Sequence, residues 1–247
     1  MTTERMNGYI DIHTHILPGV DDGAKDMAQA LNLVRMAYEN GTRTIFLTPH
    51  YRGKYKEKDA AQLRDIFTHF CQAVWCQFPD MRLYLGSEIH NEMEAPERLA
   101  EGKILPLHNS EYCLVEFQTS ASRSQVITGV SEMTRYGYTP IIAHAERYRI
   151  FQRDSSLTEE VLAMGALIQL NAESVMGKNG WSVKRYCDRV LKERQVHFIA
   201  SDAHDAAARP PLLRQCWWLV YKKHGVEYAN RLFFYNALAV IQNESID

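Results

Sequence analysis

Tyr9-Ile10-Asp11-Ile12-His13-Thr14-His15 is an apolar run that ends in two alternating histidines. The same order, a short apolar run and then a metal-ligating side chain, recurs along the chain. Thr44-Ile-Phe-Leu-Thr leads to His50, Leu83-Tyr-Leu-Gly to Glu88, Tyr112-Cys-Leu-Val to Glu116, Pro140-Ile-Ile-Ala to His144, and His197-Phe-Ile-Ala to Asp202 and His204. With Asp22 close behind the first pair, nine candidate ligands fall into six clusters. Ligands at the ends of parallel strands converge on one rim of an α/β barrel, the face on which such barrels carry their chemistry. The pattern points to a multi-metal hydrolase.

The segments between these runs read as helices. Asp26 is placed to cap a helix with Gln29 three residues later, and Met27, Leu31, Val34 and Tyr38 form its apolar stripe, stopped by Gly41. Further helices are expected over 59–77, 124–136, 157–164, 181–194, 210–223 and 227–241, and strands over 44–48, 82–86, 112–116, 139–143, 166–171 and 196–200. The stretch 91–109 is the least regular connection, with a short helix ending at Gly102 and an extended turn around Pro106. Alternating β and α with continuous apolar strands implies a parallel sheet covered by helices. About seven strands suit a distorted (β/α) barrel. A doubly wound open sheet is the competing architecture, without a glycine-rich dinucleotide fingerprint to support it.

A chain of 247 residues is expected to form one domain over 1–247. Hydrophobic residues make up 46% and charged residues 23%, the balance of a soluble globular protein. A net charge of -2 gives no reason to expect nucleic acid as a partner. No apolar stretch approaches the roughly 18 residues of a membrane span, and the first eight residues lack the apolar core of a signal peptide. The five cysteines are scattered and odd in number, which suits free thiols in the cytoplasm.

Each cluster alone has an ordinary explanation. His13-x-His15 can be a chance pair on a strand end, His50 a satisfied core histidine, and His144-Ala-Glu146-Arg147 a salt-bridged loop. Glu88 and Glu116 are harder to dismiss, because a carboxylate buried behind an apolar run needs a partner. Paired imidazoles with carboxylates suit zinc, manganese, iron or cobalt, and added carboxylates favour manganese and iron. All six clusters obey one positional rule.

The runs Asp11-Ile-His-Thr-His-Ile-Leu-Pro-Gly-Val-Asp-Asp-Gly, Thr48-Pro-His-Tyr, Gly86-Ser-Glu-Ile, Leu114-Val-Glu-Phe, Ala143-His-Ala-Glu-Arg-Tyr and Ser201-Asp-Ala-His resemble the PHP (polymerase and histidinol phosphatase) superfamily. Within it the chain is most similar to the bacterial protein-tyrosine phosphatases of capsule and exopolysaccharide operons, the CpsB/YwqE type, from about Tyr9 to about Phe234. H-x-H is shared by the whole superfamily, whereas Pro-Gly-Val-Asp-Asp-Gly, Ala-Glu-Arg-Tyr and the later Arg-Pro-Pro make the narrower match.

The resemblance implies a distorted seven-stranded barrel with three divalent metal ions, manganese first among them. His13, His15, Glu88 and Asp202 would hold one metal, Glu88 would bridge to a second with Glu116 and His144, and Asp22, His50 and His204 would hold the third. Arg147 and Arg209 match the family's phosphate-binding arginines. The implied substrate is phosphotyrosine on a bacterial tyrosine kinase and its targets. A small-molecule phosphatase acting on histidinol phosphate, and a non-catalytic regulatory module, are the alternatives. The expected reaction is metal-assisted hydrolysis, in which clustered cations lower the pKa of a water from about 15.7 towards about 7. Guanidinium forks match the charge spread over the transferred phosphoryl oxygens.

Cys76-Gln-Phe-Pro-Asp-Met-Arg82 has the C-x5-R spacing of cysteine-dependent phosphatases. It lacks glycine and loses an N–H at Pro79, so it cannot supply the ring of backbone donors that such chemistry needs. The basic stretch from Arg52 to Lys58 is expected on the rim of the site, either as a solvated loop or as a guide for an acidic phosphopeptide. Tyr51, Tyr55 and Phe117 are candidates to pack against a substrate ring, or are simply packing residues.

Overall fold

The structure is a computed structural model that describes residues 7–52 and 58–246; Tyr55 and most of the basic stretch after Arg52 lie outside the described residues. Nine strands form among the described residues: β1 (Tyr9–Asp11), β2 (Thr42–Leu47), β3 (His50–Tyr51), β4 (Arg82–Leu85), β5 (Glu88–His90), β6 (Tyr112–Glu116), β7 (Thr139–Ile142), β8 (Leu167–Asn171) and β9 (Phe198–Ala200). Every pairing is parallel. The strands run in two sheets, β1-β2-β4 and β3-β5-β6-β7-β8-β9.

The expected count of seven is not what forms. The runs that end at His50 and Glu88 each divide in two, at Thr48-Pro49 and at Gly86-Ser87. Pro49 brings no N–H to the ladder. At Gly86 a Cβ would lie 2.7 Å from Leu107 Cδ2, so the chain bends there against a neighbouring turn. Backbone bonds still tie the pieces together: Gly86 donates to Leu47 O at 2.9 Å and Glu88 to Pro49 O at 3.0 Å. At the far edge Thr14 bridges Ala203 in parallel, His15 N donates to Ala203 O at 2.8 Å, and Asp202 N to His13 O at 3.0 Å. The parallel sheet therefore curls until the residues after β9 meet those after β1.

The helices cover the outside: α1 (Met27–Glu39), α2 (Ala60–Trp75), α3 (Ala95–Ala100), α4 (Arg123–Arg135), α5 (Arg149–Arg153), α6 (Ser155–Ala163), α7 (Ala172–Val175), α8 (Trp181–Lys192), α9 (Arg214–His224), α10 (Val226–Asn230) and α11 (Asn236–Gln242). Of the caps, the one expected at Asp26 forms, and two more appear beyond that expectation. Asp26 accepts from Gln29 N, and Asp59/Gln62 and Ser122/Gln125 form reciprocal capping boxes. Inside the curl, Ile10, Ile12, Phe46, Leu114, Ile141, Leu167 and Phe198 pack on Phe234, Ala237 and Val240. The C-terminal segment thus closes the N-terminal ends of the strands, held by Asn236 Nδ2 donating to His197 O at 2.8 Å and Tyr112 Oη to Glu244 O at 2.6 Å. Phe46 is fully buried there, and Phe46→Ala would cost about 3–5 kcal/mol.

Two helices differ from expectation. α9 begins at Arg214 rather than Pro210: Pro211 disfavours helix at Pro210, and the first free N–H groups of the helix are taken up only at Leu213 and Arg214. Asn40 Oδ1 accepts from both Leu213 N and Arg214 N at 2.8 Å and supplies the cap from outside the segment. The expected 227–241 helix is interrupted by a π-turn over Arg231–Tyr235. All five cysteines are free, four of them buried and Cys76 exposed. Cys76 ends α2 and Arg82 opens β4, at the end of the strands away from the ligand clusters.

Candidate metal centre

The apolar runs deliver all nine candidate ligands to the C-terminal rim, where contacts of 3.8 Å or less link them into one cluster. Glu88 is its hub. His13 Nε2 stands 3.3 Å, His15 Nε2 3.2 Å and His50 Nδ1 2.9 Å from Glu88 Oε2, while His144 Nε2 is 2.7 Å from Oε1. Glu116 lies 3.8 Å from His144 and 3.7 Å from His50. Asp202 Oδ1 is 3.5 Å from His13 and 3.4 Å from His15. Asp22 Oδ1 is 3.4 Å from both His50 and His204. Among the described residues, three sets have ligand atoms within 4.8 Å of one another: His15-Asp22-His50-His204, His13-His15-Glu88, and His50-Glu88-Glu116.

The residues fit a bound cation on their own chemistry. His13 Nδ1 faces Gln169 Oε1 at 3.1 Å, and His15 Nδ1 faces Asp21 Oδ2 at 2.7 Å. Both partners are acceptors, so each Nδ1 carries the proton and each Nε2 presents a lone pair. Those two Nε2 atoms face each other at 3.2 Å. His204 follows the same logic, its Nδ1 directed at Asp202 O at 2.8 Å. His204 Nε2 and Glu88 Oε2 are buried and, among the described residues, have close neighbours but no well-directed hydrogen bond. Nitrogen and carboxylate oxygen atoms gathered this closely in a buried site suit positive charge shared among them.

The electrostatics agree. Burial alone would raise Glu88, but His13, His144 and His15 hold it well below the usual carboxylate range. Asp202 is lowered against its burial by His13 and His15. Burial opposes protonation of His50, yet Asp22 and Glu88 raise it to about 9. All four carboxylates of the cluster are held below their usual range, so they stay ionised and attract positive charge.

Local backbone aims these groups. His144 and Asp202 both adopt left-handed conformations, φ 32 and φ 54, which cost non-glycine residues energy and gather at functional sites. His144 N donates to Gln169 Oε1 at 2.8 Å. Gly23 allows the loop after β1 to fold back: a Cβ there would lie 1.8 Å from His15 O. The two candidate arginines reach the same carboxylate, Arg147 Nη1 at 3.1 Å and Arg209 Nη1 at 3.6 Å from Asp202 Oδ2. Arg52 Nη2 is 2.8 Å from His50 Nε2. Tyr51 pairs with Arg98, and Phe117 is largely buried, at the floor of a cleft beside the rim.

Sequence reasoning missed the groups behind the ligands. Asp21 accepts from His15, from Gly23 N and from His50 N. Gln169 Nε2 donates to Asn171 Oδ1 at 3.0 Å, and Asn171 Nδ2 to Asp202 Oδ2 at 2.8 Å. Tyr148 Oη lies 3.2 Å from His144 Nδ1. A signal existed: Gln169 and Asn171 alternate within the apolar run Leu167–Asn171, and buried polar groups there require partners.

Comparison with known proteins places the chain. The family described as capsular polysaccharide synthesis, CpsB/CapC, matches residues 9–242. The tyrosine-protein phosphatase CpsB of Streptococcus agalactiae serotype V is 31% identical over 242 residues, covering 96% of this chain and 100% of that protein. YwqE of Bacillus subtilis, also a tyrosine-protein phosphatase, is 32% identical over 238 residues, covering 96% of this chain and 93% of the relative. Among crystal structures of YwqE from Bacillus subtilis and CpsB from Streptococcus pneumoniae, unique metal-dependent tyrosine phosphatases, one chain matches with a TM-score of 0.90 and 30% identity over 96% of each chain. The phosphotriesterase homology protein of Escherichia coli shares the fold at a TM-score of 0.64 and 10% identity, covering 96% of this chain and all of that one. Matched over nearly its whole length, the chain belongs to the CpsB/CapC family of capsular polysaccharide synthesis.

Proposed function

We propose that this chain is a metal-dependent protein-tyrosine phosphatase that hydrolyses phosphotyrosine on a bacterial tyrosine kinase and its targets, and so regulates capsule or exopolysaccharide synthesis. The observation that carries the proposal is the gathering of six chain segments into one ligand cluster around Glu88, with Arg147 and Arg209 both at Asp202. We assign the whole chain, 1–247, to one domain of PHP type, and read its two sheets as one distorted barrel of seven chain passes. No helix among the described residues is long and apolar enough to cross a membrane, which accords with a cytoplasmic enzyme.

Three divalent metals, manganese by preference, are assigned to His13, His15, Glu88 and Asp202; to Glu88, Glu116 and His144; and to Asp22, His50 and His204. When bound, such ions lower the pKa of a water and neutralise phosphate charge. The chain's own residues do the rest. Gln169 and Asp21 fix the imidazole tautomers, so that Nε2 of His13 and of His15 stay free to ligate. Arg147 and Arg209 orient the phosphoryl group and stabilise the charge that builds on its oxygens. A tyrosine leaving group, with a pKa near 10, needs less help from a general acid than a serine would.

The test is phosphate release from a phosphotyrosine peptide and from histidinol phosphate, side by side, with manganese and then with EDTA. Manganese-dependent turnover of the peptide is expected. Preference for histidinol phosphate would move the protein to the small-molecule branch.

A further inference from the structure

A cleft of about 290 Å³ opens between α3 and α4. Its walls start directly from the candidate centre. One begins at Asn91, the residue after His90, whose Nδ1 is 3.7 Å from Glu116 Oε2. The other begins at Phe117, the residue after Glu116 itself. The walls are tied together where Asn91 N donates to Glu116 O at 2.7 Å. Gly129 of α4 lets the Asn91 side chain lie against that helix, since a Cβ there would stand 2.4 Å from Asn91 Oδ1.

The floor is apolar, made by Pro96, Phe117 and Ala121. Met93 stands at its lip, 97% exposed. The charges at the rim are acidic: Glu92 and Glu132 line the cleft, and among the described residues no lysine or arginine does. Glu132 is paired with Arg135, whereas Glu92 makes no ion pair among the described residues. An apolar trough with a carboxylate at its mouth matches a side chain that has a hydrocarbon stem and a cationic head.

We propose that this cleft is a substrate subsite that takes a lysine or arginine next to the phosphotyrosine of the substrate protein. The stem lies on Phe117 and Pro96 and the head meets Glu92. A phosphotyrosine whose phosphate sits among the ligands keeps its own backbone out at the rim, and the cleft opens at that rim from Asn91 and Phe117, so a flanking side chain of the substrate has the cleft beside it. The proposal rests on the phosphatase reading above, and its test separates the two.

Phosphotyrosine peptides carrying lysine, alanine or glutamate on either side of the phosphotyrosine are compared as substrates of the manganese-loaded protein, alongside p-nitrophenyl phosphate. Phosphonate versions of the same peptides give Kd without turnover. The lysine peptide is expected to exceed the alanine peptide about five-fold in kcat/KM, the scale of an exposed ion pair. Glu92→Gln should erase that preference and Glu92→Lys should turn it towards glutamate, with p-nitrophenyl phosphate turnover unchanged. The same order of peptides in wild type and Glu92→Lys, or no preference for lysine in the wild type, overturns the subsite. If nothing is hydrolysed, the phosphatase reading fails, and the order of the phosphonate Kd values still decides the cleft.

Discussion

Gln169 Oε1 accepts from His13 Nδ1 at 3.1 Å and, with the same atom, from the backbone N–H of His144 at 2.8 Å. One side chain on β8 thus sets the tautomer of one candidate ligand and the backbone position of another. Outer partners of this kind typically contribute ten- to a hundred-fold in metal affinity. Gln169→Leu keeps the volume and removes the acceptor, so it should weaken manganese binding by about that factor while the fold survives. Competition against a chromophoric chelator measures it. Wild-type affinity in the variant would remove Gln169 from the account.

Among the described residues, the guanidinium groups of Arg147 and Arg209 reach the centre at Asp202 Oδ2, while their backbone bonds to His144 and His204 do not depend on the side chain. Arg147→Ala and Arg209→Ala should therefore retain metal and lose turnover, each by about a hundred-fold, the usual effect of deleting a donor to developing charge. Metal content and kcat are read on the same preparation. Loss of metal from either variant would mean that its arginine supports the ligands rather than the phosphate.

Much of this centre could be read from the chain because each ligand closes an apolar run, and a strand end fixes where its next residue points. His13 and His15, two apart, share a face for that reason. The outer partners lacked such a marker. Asp21 sits beside Asp22 in one turn, and only the fold-back permitted by Gly23 decides which of them meets His15 and which meets His50 and His204. The left-handed turns at His144 and Asp202 depend on tertiary bonds, from Gln169 and to His13 O, that local propensity does not encode. In the fold, the division of two strands followed from Pro49 and from the approach of Leu107 to Gly86, the latter a contact between distant segments.

Cys76 and Arg82 lie at the opposite end of the strands from Glu88, so the C-x5-R spacing carries no catalytic role. Cys76→Ser should leave kcat within about two-fold, the range of surface substitutions remote from chemistry. Inactivation of this variant would reopen a cysteine mechanism.

His197, at the foot of the barrel, titrates far from the metal ligands. Its burial and the nearby charge of Arg231 lower it to about 4. Its Nδ1 also accepts from Ile168 N at 3.2 Å, a bond that a proton there would break. The unfolded chain takes up a proton below the ordinary value of 6.5, and the folded protein refuses it until about 4. Stability is therefore intact above pH 6.5 and falls as pH drops towards 4, by on the order of 3 kcal/mol from this group. Urea unfolding at pH 7 and pH 4.5 should show a drop that is smaller in His197→Gln than in the wild type by about 2 kcal/mol. Equal drops in the two proteins would contradict the assignment.

The central claim is that a shared, multi-metal centre drives phosphotyrosine hydrolysis. Titrating metal-free protein with manganese, while following bound metal per chain and phosphate release from a phosphotyrosine peptide, tests it most directly. The account predicts no turnover without metal and activity that reaches its plateau only as the third equivalent binds. Full activity in EDTA, or a plateau at a single bound ion, would contradict it.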